Sequence, residues 1–215
     1  DLDSSRFYTG AVCWFWDHPE LTWKESAPAF RYLTVGGYNY QWRENEADHK
    51  IFPERVIMST ESFPLEVAEN WEQAVNYPWV IGDFVWTAMD YLGEAGIGHT
   101  QYLEEGQQDS FVMPWPWFNA WCGDLDILGN PKPQMQYKDV IWGNRAIGIN
   151  VHAPVPEGKK GVVSRWGWPD EVPAWEWKGS EGKPLQVSVY ARGSAVKLEL
   201  NGKTIGEQEL TPDKR

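Results

Sequence analysis

Apolar residues cluster in four short runs in the first part of the chain, at residues 7–13, 32–38, 55–60 and 79–88. Each run is almost continuous in apolar or β-branched residues, which is typical of strands covered on both faces. Helix-like segments lie between them, at residues 27–31, 44–52 and 65–75. In the last segment, helical spacing relates Leu65, Ala68, Trp71 and Val75. The alternation of strands and helices predicts βαβ units and a parallel sheet.

The pattern changes in the second part of the chain. Residues 93–132 are rich in Gly, Pro and Trp, which predicts a long loop, and residues 133–142 form a helix-like segment. From about Gly143 onwards, apolar and polar residues alternate at 147–151, 186–190 and 196–200, which predicts half-buried antiparallel strands. Asn201-Gly202 predicts a hairpin turn. This part is therefore expected to begin a β-sandwich.

Composition narrows the possible functions. The formal net charge is -12, which argues against binding to nucleic acid or to an anionic membrane surface, because both require clustered Lys and Arg. No apolar run is long enough to span a membrane. The 15 Trp residues supply large core side chains and also flat platforms on which sugar rings stack. An acidic protein of this kind suits a neutral ligand or a site that needs carboxylates.

Polar side chains follow three of the predicted strands. Asn39 and Tyr40 follow the second run, Glu61 follows the third, and the stretch from Trp86 to Asp90 follows the fourth. Parallel strands deliver such residues to one common edge, where barrel enzymes carry out their chemistry. A carboxylate beside a phenol and an indole suits glycoside chemistry, with the carboxylate attacking an anomeric carbon.

Other kinds of site lack support in the sequence. The four His residues show no metal-ligand spacing, and neither a phosphate-binding loop nor a Gly-x-Ser-x-Gly element occurs. Cys13 and Cys122 are too few for a disulfide framework, so both are expected to be reduced. Asp48-His49 is interpreted as a charge pair at a helix end.

Four linked motifs, at residues 37–40, 59–64, 82–94 and 122–126, resemble glycoside hydrolase family 2. Within that family they are most similar to the bacterial β-galactosidase-like branch. The resemblance extends over residues 7–142. The segment at 198–203 resembles the immunoglobulin-like domain that follows the catalytic barrel in this branch.

The resemblance implies a fold and a set of site residues. Residues 1–143 would be the C-terminal half of a (β/α)8 TIM barrel, an α/β fold, and residues 144–215 would begin an all-β immunoglobulin-like sandwich. Glu61 would be the nucleophile, supported by Tyr40. Substrate contacts would come from Asn39, Trp86, Asp90 and Asp124, with no metal and no cofactor. The implied activity is that of a retaining exo-glycosidase acting on terminal β-galactosides, in a periplasmic or secreted bacterial protein.

One departure from the family pattern concerns the acid/base residue, a Glu preceded by Asn at the end of the fourth barrel strand. Asn45-Glu46 has this sequence but lies after the sixth strand, so it is interpreted as solvated helix surface. The acid/base is expected upstream of Asp1. The chain would then need the N-terminal half of the barrel and be inactive alone, whether the shortening is engineered or proteolytic.

Two kinds of alternative remain open. The Trp content and the β-rich tail also fit a non-catalytic carbohydrate-binding module. Within the family, β-mannosidase and β-glucuronidase are alternatives to β-galactosidase. The glucuronidase branch is disfavoured because no Asn-x-Lys carboxylate-binding element lies near the predicted strand-end edge.

Overall fold

A computed structural model describes Asp3 and residues 5–210 of the chain. The chain forms two compact units, of which the first ends at Thr87 and the second begins at Ala88. None of the helices in the described residues is long and apolar enough to cross a membrane.

The first unit contains a four-stranded parallel sheet. Its strands are β1 (Thr9–Val12), β2 (Val35–Asn39), β3 (Ile57–Ser62) and β4 (Val80–Val85), in the spatial order β1-β2-β3-β4. Each strand coincides with one of the four apolar runs, so the prediction of a parallel sheet from those runs is confirmed. Within the described residues, β1 and β4 each pair with one neighbour only, which leaves the sheet open at both edges.

Helices connect the strands and cover one face of the sheet. A 3₁₀ helix spans Trp23–Tyr32, α1 spans Asn45–Ile51 and α2 spans Val67–Asn76, with shorter 3₁₀ turns at Trp42–Glu44 and Pro64–Glu66. The core on this face consists of aromatic and aliphatic side chains from the first helix and from three strands, namely Trp23, Phe30, Tyr38, Ile57 and Val80.

The buried face of α2 differs from the one that its apolar spacing predicted. Trp71 and Val75 are exposed, whereas Val67 and Asn70 are buried. Burial of Asn70 is tolerated because both ends of its amide are hydrogen-bonded: Oδ1 accepts a 2.8 Å bond from the Ser59 hydroxyl, and Nδ2 donates to the Glu66 carbonyl at 2.9 Å. A polar residue therefore joins this helix to β3.

A buried polar network ties α1 to β2. The Asp48 Oδ2 atom accepts hydrogen bonds from the Trp23 indole (2.9 Å), the Tyr38 hydroxyl (2.6 Å) and the Arg55 guanidinium (3.1 Å). Burial, and then the bond to Asp48, raise the pKa of Tyr38 well above its ordinary value. The predicted helix-end pair of Asp48 with His49 is wrong, because Asp48 pairs with Arg55 and the His49 ring stacks on Trp79 at 3.6 Å.

Among its described residues, the second unit contains one helix and several short antiparallel sheets. The helix α3 spans Pro133–Trp142 and ends at Gly143, which has φ +84°. A three-stranded sheet has the order β8-β6-β9, with β6 at Ile147–His152, β8 at Glu171–Val172 and β9 at Val187–Ala191. A pair joins β5 (Gln101–Leu103) to β7 (Lys160–Val162).

The last two strands form the predicted hairpin. β10 (Ala195–Leu200) pairs with β11 (Lys203–Glu209), and the turn residues Asn201 and Gly202 have φ values of +50° and +77°. Positive φ at both central residues is what a tight two-residue turn requires, and Asn and Gly adopt it at low cost. The closure of these strands into a sandwich stays a prediction, as does the closure of the parallel sheet into a barrel.

Candidate active site

The predicted nucleophile, Glu61, lies at the carboxyl end of β3 and is half-buried. The register between β2 and β3 runs from Tyr38 opposite Ser59 to Asn39 opposite Glu61, so β3 contains one extra residue at this point. The register against β4 also shifts here, from Ser59 opposite Asp83 to Ser62 opposite Val85. Strand β3 therefore has a β-bulge in its pairing with each of its two neighbours.

The bulge changes the side of the sheet towards which Glu61 points. In a regular strand, residues 57, 59 and 61 would share one side, and Ser59 on that side bonds to helix α2. The observed burial breaks this alternation: Ile57, Ser59 and Ser62 are buried, whereas Thr60 and Glu61 are both half-buried. Bulges commonly redirect a side chain next to an active site. The pattern indicates that Glu61 shares the side of Thr60, opposite the helices.

Asn39 joins β2 to the same side of β3. Its Oδ1 atom accepts a 2.7 Å hydrogen bond from the Thr60 hydroxyl, which fixes the orientation of the buried amide. The two strands approach closely just before this point. A Cβ atom on Gly37 would lie 2.7 Å from the Thr60 methyl group and 2.3 Å from the Gly10 carbonyl oxygen. Only glycine fits at position 37.

Tyr40 follows directly after β2, and the main chain connects it to Glu61. The Tyr40 N–H donates a 2.7 Å hydrogen bond to the Glu61 carbonyl oxygen. The backbone of Tyr40 has φ +59°, which is uncommon for a bulky residue and typical of functional sites when it occurs. Its ring stacks on Phe63 with the centroids 4.2 Å apart.

Trp86 follows β4 in the same way. Its N–H donates a 3.0 Å hydrogen bond to the Ser62 carbonyl oxygen, and the Trp86–Thr87 peptide bond is cis. The structure therefore brings Asn39, Tyr40, Glu61 and Trp86 to the carboxyl ends of three adjacent parallel strands, as the sequence predicted for an edge of this kind. Their roles in binding or catalysis stay predictions.

Trp16 is a further aromatic residue beside Tyr40 that the sequence analysis did not single out. Its ring centroid lies 6.5 Å from that of Tyr40, in an edge-to-face arrangement, and 51% of the residue is exposed. The Trp16 indole N–H donates to the Cys13 sulfur at 2.8 Å, which holds the ring in place. The signal available in the sequence was its position a few residues after the first apolar run.

The two predicted aspartates lie in the second unit and form buried ion pairs. Asp90 accepts hydrogen bonds from Lys132 Nζ (3.0 and 3.2 Å) and from the Gly123 N–H (2.7 Å). Asp124 pairs with Lys138. Burial raises the pKa of both carboxyl groups, and the neighbouring lysines oppose this shift. These contacts account for both aspartates structurally, and their predicted contacts with a sugar stay untested.

No group of three or more metal-binding side chains occurs among the residues that the structure describes.

Comparison with known proteins identifies the family. No protein-family model matches the sequence. Two crystal structures of glycosyl hydrolase family 2 members from Bacteroides cellulosilyticus match 99% of this chain, with identities of 38% and 34% and TM-scores of 0.78 and 0.71. The chain belongs to glycoside hydrolase family 2. It covers 26% and 24% of those two family 2 structures, so it corresponds to about a quarter of their length.

A curated relative carries a more specific name. The "Putative beta-glucuronidase" of Formosa agariphila is 28% identical over 193 residues, which is 89% of this chain and 14% of the relative. The name concerns the relative. For the present chain, the name raises the question of whether the residues could accommodate a sugar that carries a carboxylate.

Asn-x-Lys triplets bear on that question. The chain contains two, at residues 130–132 and 201–203, both in the second unit. Lys132 of the first triplet is buried and bonded to Asp90 and to the Trp121 carbonyl oxygen, and it lies 4.3 Å from the Trp121 ring centroid. In the second triplet, Asn201 and Gly202 form the β10–β11 turn and Lys203 begins β11. Lys132 is thus already paired with a carboxylate of the protein itself.

Proposed function

We propose that this chain carries the nucleophile of a retaining exo-glycosidase, β-galactosidase-like, that hydrolyses terminal β-galactosides. The main support is the redirected position of Glu61. The register bulge and the burial pattern of β3 indicate that this carboxylate points away from the helices, to the side of Asn39 and near the strand ends that Tyr40 and Trp86 follow. Family membership supports the same reaction class.

The proposed reaction has two steps on Glu61. Its carboxylate attacks the anomeric carbon of the terminal sugar and forms a glycosyl ester, while the bond to the leaving group breaks and an acid residue protonates the departing oxygen. Water, deprotonated by the same residue, then releases the sugar with retained configuration. In this proposal Tyr40 orients the carboxylate, Trp86 forms a wall of the sugar pocket and Asn39 binds a hydroxyl group.

The acid/base residue is proposed to lie outside this chain. A retaining enzyme needs its two carboxyl groups ~5–5.5 Å apart. Asn45-Glu46 is a poor candidate, because Asn45 is fully buried at the start of α1 and Glu46 accepts a hydrogen bond from the Tyr77 hydroxyl. The interpretation as solvated surface is correct for Glu46, which is 52% exposed, and wrong for Asn45.

The open sheet supports the need for a further segment, which we propose to be the N-terminal half of a TIM barrel. β1 and β4 have unpaired edges among the described residues, and Ile81 and Phe84 on β4 are more than half exposed. Apolar side chains along a strand edge are normally covered in a stable protein. The second unit is proposed to include the start of an immunoglobulin-like sandwich.

The role of Glu61 is tested in the longer protein that contains this chain. Glu61→Gln should lower kcat on an aryl β-galactoside by on the order of 10⁴-fold or more, because the covalent step is lost. A 2-deoxy-2-fluoro galactoside should label Glu61 in the wild type, as detected by peptide mass spectrometry. Glu46→Gln is the matched control and should keep wild-type kcat.

Three outcomes would contradict parts of the proposal. Label on a different carboxylate would remove Glu61 from its role. Saccharide binding without any turnover in the wild type would favour the competing class, a non-catalytic carbohydrate-binding module. Hydrolysis by residues 1–215 alone would show that an acid/base lies within the chain, with Glu46 as the first candidate.

A β-glucuronide is the second candidate substrate, because of the name of the Formosa agariphila relative. A glucuronide carboxylate needs a cationic partner, and Lys132 is already paired with Asp90. We therefore place β-galactosides first. The ratio of kcat/KM values for aryl β-galactoside, β-glucuronide and β-mannoside decides between them, and a ratio in favour of the glucuronide by tenfold or more would reverse this order.

A further inference from the structure

The segment that connects β8 to β9 in the second unit lines a cavity of about 640 Å³ that is open to solvent. Trp175 and Trp177 both line it, and they are separated by Glu176 in a stretch without regular secondary structure. We call this feature the tryptophan cavity. Its volume falls within the range of ~300–1,000 Å³ that is typical of small-molecule sites.

Two consecutive hydrogen-bonded turns form a wall of the tryptophan cavity. The Ser180 N–H donates to the Trp177 carbonyl oxygen at 2.9 Å, and the Lys183 N–H donates to the Ser180 carbonyl oxygen at 3.0 Å. Gly179 and Gly182 lie within these turns with φ values of +85° and +75°, which glycine adopts without the steric cost that a Cβ atom brings. The cavity is therefore shaped by defined turns.

The polar groups of the cavity are balanced in charge. Glu176, Glu181, Lys178 and Lys183 line it and contribute no net formal charge. Glu181 accepts a hydrogen bond from the Gly179 N–H at 2.9 Å, so this carboxylate is fixed by its own turn. Within the part of the chain that the structure describes, neither lysine lies in an ion pair, so both ammonium groups can donate to a ligand.

We propose that the tryptophan cavity binds a neutral oligosaccharide in a role that does not require Glu61. Indole faces take the C–H faces of pyranose rings, and adjacent carboxylate and ammonium groups accept from and donate to hydroxyl groups. Trp175 is 51% exposed, so its ring surface is accessible. The balanced rim and the net charge of -12 disfavour a polyanion. Nothing in the proposal depends on the hydrolytic activity.

The test is binding by the full-length protein that contains this chain, carrying Glu61→Gln so that probes stay intact. Isothermal titration calorimetry measures the binding of three neutral probes, namely β-1,4-galactotetraose, cellotetraose and β-1,4-mannotetraose. Tetragalacturonate is the anionic probe. At least one neutral probe should bind, and Trp175→Ala should raise its Kd at least tenfold. Trp175→Phe should restore most of the affinity, because it keeps an aromatic face. The matched control is Trp115→Ala, which removes an 83% exposed indole outside the cavity and should change Kd less than twofold.

Trp177→Ala provides an independent variant, and circular dichroism confirms that each variant is folded. The proposal is overturned if no neutral probe binds, or if Trp175→Ala and Trp177→Ala bind like the parent. It is also overturned if tetragalacturonate binds more tightly than every neutral probe through the same two residues. A change in oligomeric state on Trp175→Ala, with sugar binding unchanged, would assign the cavity to a protein contact instead.

Discussion

Removal of the Asp48 carboxylate should destabilise the protein by several kcal/mol. In Asp48→Ala, the side chain of Arg55, only 11% exposed, loses its partner, and truncating one member of a buried ion pair costs ~3–5 kcal/mol. Trp23 and Tyr38 also lose their acceptor, at ~1–3 kcal/mol for each buried donor left unsatisfied. Because all three donors share one oxygen, these penalties do not add in full.

The expected loss is therefore at least ~3 kcal/mol for Asp48→Ala. Asp48→Asn should lie between this variant and the wild type, because an amide oxygen can still accept but carries no charge. For a chain of this length, ~3 kcal/mol corresponds to a fall in melting temperature of roughly 6–12 °C. Urea denaturation followed by circular dichroism gives the free energy of unfolding.

Asp17→Asn is the control for the loss of a carboxylate, because Asp17 is exposed. Its effect should stay within ~0.5 kcal/mol. A loss below ~1 kcal/mol for Asp48→Ala, or an Asn variant less stable than the Ala variant, would refute the reasoning that a charged acceptor holds these three donors.

Three further predictions follow from other parts of the structure. Gly37→Ala should lower stability by ~1–3 kcal/mol through its clash with a carbonyl oxygen, whereas Gly10→Ala, whose Cβ meets only methyl groups at 3.6 Å, should be tolerated; thermal melts compare the two. Burial raises the pKa of Glu171 above its ordinary 4.5, so the folded state binds more protons than the unfolded state between the two pKa values. Stability should therefore fall as pH rises from about 4.5 through the raised pKa, and Glu171→Gln should reduce this slope in melts recorded across pH; an unchanged slope would contradict the prediction. If Trp16 contacts the sugar, Trp16→Ala in the longer protein should raise KM several-fold more than it lowers kcat, and Trp16→Phe should restore KM; equal KM values in steady-state assays would exclude the contact.

The sequence was most informative where a single local rule decides the structure. The four continuous apolar runs of the sequence form the four parallel strands of the structure, and Asn201-Gly202 forms a tight hairpin turn. The convergence of Tyr40, Glu61 and Trp86 also followed from local information, because strand ends in a parallel sheet share one edge. These features need no knowledge of distant contacts.

Features that depend on distant partners could not be predicted in this way. Apolar spacing assigned Trp71 to the buried face of α2, but the bond between Asn70 and Ser59 on β3 determines the orientation of that helix. The sequence places Asp48 next to His49 and so predicts a pair between them. In the fold, Asp48 instead bonds to Arg55 and Tyr38, which are not adjacent to it in the sequence. The bulge that redirects Glu61 has no signature in composition, because it arises from the register against both neighbouring strands.

Strand β2 uses its two sides for different purposes. Tyr38 faces the helices and belongs to the Asp48 network, whereas Asn39 faces Thr60 on the other side. Evolution can therefore act on the two sides separately. Under the proposed function, changes at positions 39 and 40 would act mainly on the choice of sugar. Drift at positions 38, 48 or 55 would instead reduce cellular abundance, whatever the substrate.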